Sequence, residues 1–268
     1  DSQVAAFSAT AVASMTTEQV SALASNQVAA LTTAQVKSLT TAQVASLTTG
    51  QIDKLTTAQL TALSTAQVAA METQDFAKLT TDQMASLSAT QFKALKTSQI
   101  ESLTTDQAKA LTTSQLAALS SAQMKAVETD DLAAMSTAQI RSITSTNIAA
   151  MSTVQVNKMT TDQVAALSNS QLKAMTTAQV AALTTSQVAA IETTDVAALR
   201  TTQVAVLSTS GVAAMTTSQV AALSTAGVVA LTTSQVAALT TSAIAAMTTS
   251  QVAAIETTDV AALRTTQV

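Results

Sequence analysis

Leu183–Ala190, LTTSQVAA, is one copy of a phrase that recurs, varied but uninterrupted, along the whole 268-residue chain. With Leu183 counted as site 1, that site falls every eight residues from Phe7 to Leu263, and all 33 positions are Leu, Met, Ile, Val or Phe. Site 6, from Val4 through Phe76, Met84 and Leu172 to Val268, is apolar in every copy, with Ala108 the small one. Site 5 is Gln in 25 of 34 copies, site 3 is mostly Thr, Ser or Asn, and site 8 is mostly Ala or Ser. A fixed internal period decides the fold before any local propensity does. It predicts residues 1–268 as a single continuous octapeptide array, with an irregular edge over 1–30 and near-identical repeats over 183–268.

Three conformations compete for such a phrase. A strand needs period-two alternation and turn residues, yet sites 6, 7, 8 and 1 often read as four apolar residues in a row, and Gly, Asn and Pro hardly occur. That weakens the alternative of a β-solenoid. One continuous helix would drift roughly 80° per copy and smear both apolar columns around its surface. What remains is an all-α solenoid, or superhelix, of very short helices, one per eight-residue repeat. The expected helices are of about two turns, separated by breaks of one or two residues. Thr at site 2 with Gln at site 5 fits a capping box, and Thr at site 3 is an equally good N-cap. Sites 6 and 1 then share one face, three residues apart.

Charge placement supports the same polarity, because helices favour acids near the N-terminus and bases near the C-terminus. Of the 16 acidic residues, 13 occupy sites 2, 4 or 5, and nine of the 12 bases stand at sites 7 or 8. Lys96, Arg200 and Arg264, all at site 2, are the exceptions. One phrase buries too little to fold alone, so neighbouring phrases must supply the rest of the core. The first and last phrases keep their apolar columns, and the chain opens at Asp1 in mid-phrase. The sequence therefore reads as an excerpt whose ends flanking phrases or another molecule cover.

Composition narrows function by exclusion. With no His or Cys and charged residues at 10%, most groups used for catalysis and metal binding are missing, and a Ser or Thr nucleophile has no unique base. No catalytic or cofactor site is expected, and the chain is expected not to be an enzyme. A net charge of −4 without a basic stripe argues against nucleic acid. No apolar run reaches the roughly 18 residues of a membrane span. Met at site 1, as in Met135 and Met175, reads as core.

One constellation stands apart. Glu occupies site 2 only at Glu72, Glu128, Glu192 and Glu256, and Asp occupies site 5 only in the same phrases, at Asp75, Asp131, Asp195 and Asp259. These eight are candidates for a cation site of oxygen ligands, carboxylates with Thr hydroxyls. The plainer reading is that they replace Thr and Gln in a helix's first turn and were copied by duplication. Thr184–Val204 indeed recurs letter for letter as Thr248–Val268. Arg200 and Arg264 follow Glu192 and Glu256 by one phrase, which suggests an exposed ion pair worth ~0–1 kcal/mol.

Phrases of the LTTAQVAAL type are similar to tracts of very large, repetitive secreted or surface proteins of Gram-negative bacteria, adhesin-like or filament-forming. The resemblance implies an extracellular or cell-surface structural role. The phrase also looks like the first helix of the repeats in transcription-activator-like effectors. Here the second helix and the base-reading loop are missing and the charge is acidic, so DNA reading does not carry over. Two functions follow as expectations. One is a non-enzymatic rod, stalk or extracellular filament that self-associates end to end or laterally. The other is a repetitive surface whose Thr columns bind ice or a polysaccharide.

Overall fold

The computed structural model describes residues 2–267, the Ser2 side chain excepted, so the column positions Asp1 and Val268 lie outside the described residues. Among those described there are 33 short helices, one per phrase, and no strand. The β-solenoid alternative is thereby overturned.

Most phrases break their helix as Thr184–Ile191 does. Thr184 sits in the extended region (φ −70°, ψ 160°), and its hydroxyl accepts the Gln187 N–H at 3.2 Å while the Gln187 Oε1 accepts the Thr184 N–H at 2.8 Å. This reciprocal pair satisfies two of the helix's free donors and places the cap at site 2, not site 3. The helix runs Thr185–Ala190. Ile191 then turns extended (φ −62°, ψ 130°), its N–H bonding back to the Val188 carbonyl at 3.2 Å in a tightened last turn. No described residue has a positive φ, so the chain leaves each helix through its site-1 residue without a glycine cap. The helices span four to six residues, shorter than the expected two turns, because sites 1 and 2 are both extended.

The chain forms two compact units, residues 1–135 and 136–268. Within each, a helix packs against the third helix before and after it, as Ala9–Ala13 packs on Thr33–Ser38 in the first and Ser145–Ala150 on Asn169–Ala174 in the second. The packed face carries sites 6 and 1. Val188, Ile191, Leu116 and Leu119 are buried, Phe76 and Phe92 are fully enclosed on the site-6 column, and Ala108 fills its place there. Charged site-7 residues such as Lys37, Lys93, Lys109 and Lys173 are exposed. Phe7 differs from the other site-1 residues in being 49% exposed.

Candidate functional site

Every buried polar or charged residue among those described stands at site 5. Gln115 shows why the position demands an amide. Its Oε1 accepts the Thr112 N–H at 2.8 Å, and its Nε2 donates to the Met84 and Leu87 carbonyls, each at 2.8 Å. Those acceptors lie 31 and 28 residues earlier, so one side chain both caps its own helix and ties it to the turn before. Gln43, Gln91, Gln187 and Gln251 repeat the contact with the same separations. A buried amide keeps its place only when its donors and acceptor are all met, and here they are.

Four phrases put a carboxylate at this point. Asp75, Asp131, Asp195 and Asp259 are 3%, 3%, 7% and 6% exposed. The shorter side chain does not complete the capping box, and the Glu preceding each by three residues makes no cap hydrogen bond either. At two of the four the carboxylate takes a hydroxyl from the turn before. Thr49 Oγ1 donates to Asp75 Oδ1 at 2.6 Å and Thr105 Oγ1 to Asp131 Oδ1 at 2.9 Å. The other oxygen, Asp131 Oδ2, is buried with no hydrogen-bond partner. Burial pushes the Asp131 carboxyl above its ordinary range, with Glu128 and Asp130 adding to the rise and the Thr105 hydroxyl opposing it. Asp195 is raised by burial and by Glu192, and Arg141 pulls it back.

Of the eight candidate ligands, the structure brings the four Asp to buried positions and leaves Glu72, Glu128, Glu192 and Glu256 exposed. Among the described residues, no three His, Cys, Asp or Glu side chains converge on one point. The expected Glu–Arg ion pairs are absent there too. Arg200 Nη2 donates to the Met175 carbonyl at 2.8 Å and Arg264 Nη2 to the Leu239 carbonyl at 3.2 Å, which keeps each guanidinium on backbone acceptors 25 residues earlier. Ion pairs among the described residues include Lys54–Asp53 and Lys109–Asp106. Thr49 and Thr105 were not singled out in the sequence, since their column is threonine almost throughout.

The family model described as ALTTAQ repeat matches residues 2–121 in five overlapping stretches and 124–249 in four. The chain belongs to the ALTTAQ repeat family. Ala30–Gln35 spells the ALTTAQ motif in full, and the parts of that wording have visible roles in the structure: Leu31 is core, Thr32 caps, and Gln35 Nε2 reaches the Val4 and Phe7 carbonyls at 2.9 and 2.7 Å. An ALTTAQ phrase is thus a cap, a core residue and a tie to the preceding turn. No curated protein matches the chain.

Proposed function

We propose that this ALTTAQ repeat chain is a non-enzymatic structural element, a rod, stalk or extracellular filament in which phrases add length. The observation that supports the reading is the site-5 tie. Each phrase receives the phrases that follow by the same two carbonyls it presents to them, so another phrase extends the array without new chemistry. Self-association uses the same contact, since a phrase of a second copy carries the same site-5 amide and the same carbonyls. The acidic balance and the scattered bases fit a protein with no nucleic-acid partner. Among the described residues no helix is long and apolar enough to cross a membrane.

The Thr columns favour this reading over ice or polysaccharide binding, because site-2 hydroxyls such as that of Thr184 are already engaged as caps. Electron microscopy of the purified chain and of variants lengthened by whole phrases tests it. Particle length growing in proportion to phrase number is expected, and particles whose longest dimension stays constant would overturn it.

A further inference from the structure

The turn beneath Asp131 gathers oxygen atoms and almost no donors. At Gln123, eight residues earlier, Nε2 donates to the Phe92 and Leu95 carbonyls at 3.2 and 2.9 Å. The equivalent carbonyls for Asp131 are those of Ile100 and Leu103. Aspartate brings no proton to them and adds two acceptors of its own. Thr105 serves Oδ1, while Oδ2 is buried and unpartnered. Among the described residues the Ile100 carbonyl receives the local Leu103 N–H at 3.2 Å, and the Leu103 carbonyl receives no hydrogen bond.

Size and charge narrow what belongs there. Asp is one methylene shorter than Gln, which vacates roughly the share of one water, ~30 Å³. A water's two protons would meet Asp131 Oδ2 and the Leu103 carbonyl as neutral hydrogen bonds, whereas a cation draws all three oxygens together and also balances the buried carboxylate charge. The two carbonyls also close the C-terminal end of the helix Thr97–Glu101, where the backbone dipole favours positive charge.

We propose that Asp131 and the Ile100 and Leu103 carbonyls bind a hard cation of the sodium–calcium class, and that Asp75, Asp195 and Asp259 repeat the site over the carbonyls 31 and 28 residues before each. Local charge ranks the copies. Asp131 has Glu128 and Asp130 beside it, and all three attract a cation. Asp195 opens with Leu167 and Glu192 into a surface pocket of about 530 Å³ that Arg141 also lines, and this guanidinium competes for the same space. The Asp131 site therefore binds more tightly than the Asp195 site.

The test uses the full 268-residue chain, stripped of metal and melted by circular dichroism at constant ionic strength in choline, sodium or calcium chloride, with equilibrium dialysis against radioactive calcium in parallel. The expected result is a Tm that rises with the logarithm of sodium or calcium concentration above its choline value. Asp131→Gln should remove more of that rise than Asp195→Gln. The fourfold Asp→Gln variant restores the amide used everywhere else, should fold at least as well, and should not respond to cations. Three outcomes overturn the proposal: a parent Tm and dialysis profile indifferent to both cations, a response that survives the fourfold replacement, or a Tm that rises only on acidification, which would place a proton on Oδ2 instead.

Discussion

Removing the Gln115 amide strands the Thr112 N–H and the Leu87 carbonyl and leaves the Met84 carbonyl with only the local Leu87 N–H. Gln115→Ala should therefore cost about 2–4 kcal/mol, since unmet buried groups and a residual cavity add. Gln115→Glu keeps the shape but turns an acceptor toward two carbonyls, so it should be at least as damaging near neutral pH and partly recover when acid protonates the new carboxyl. Urea titration with amide exchange of the flanking helices measures both, and a glutamate variant indistinguishable from the parent would contradict the tie. Only half of this role was legible beforehand. The T-x-x-Q spacing identified the local cap, which uses Oε1 and leaves the two Nε2 hydrogens unassigned. The missing clue was adjacency: site 5 precedes the buried site 6, so an amide there is drawn inside and its remaining donors need acceptors from another turn. The Asp candidates were legible as a linked pattern, but which carboxylates are buried depends on the winding, and nothing local to E-x-x-D encodes that.

At the level of the helix, capping and burial separate cleanly. Thr184→Ala removes the hydroxyl that accepts the Gln187 N–H and should cost about 1 kcal/mol, the usual worth of such a cap. Val188→Asp or Leu183→Asp should disrupt the surrounding phrases, while Ala189→Lys at the outward site 7 should change stability by less than about 0.5 kcal/mol. Chemical denaturation ranks the four, and equal effects at Val188 and Ala189 would mean that the faces are misassigned. The two apolar columns, the charge polarity and the one-helix-per-phrase arrangement were all readable from periodicity. The helices came out shorter than expected because site 1 is both a core residue and the extended exit. The pattern of apolar residues locates such a residue without specifying its backbone angles.

For the whole molecule the period is the unit of tolerance. Deleting residues 185–192 removes one phrase and leaves every later residue at its own site, so helical content per residue and Tm should stay close to the parent's. Deleting residues 185–188 moves site 1 onto site 5 across the cut, placing Ile191, and Leu199 after it, where Gln ties the turns. Amide exchange should then quicken for three to four phrases on either side, the reach of the 28- and 31-residue contacts. Similar exchange in both deletions would show that phrase register does not govern packing. That reach, between three and four phrases per turn, was beyond the sequence because every phrase is nearly the same and none specifies which neighbour it meets.

The glutamine tie also has a direction. From Gln35 onward the site-5 amide ties run backwards, to carbonyls 28 to 31 residues earlier, as Gln59 does to Val28 and Leu31 and Gln251 to Val220 and Leu223. A chain emerging from the ribosome N-terminus first therefore meets its acceptors already in place. Each newly made phrase can latch onto finished structure within about four phrases of its own synthesis, and assembly can keep pace with translation however many phrases the gene encodes.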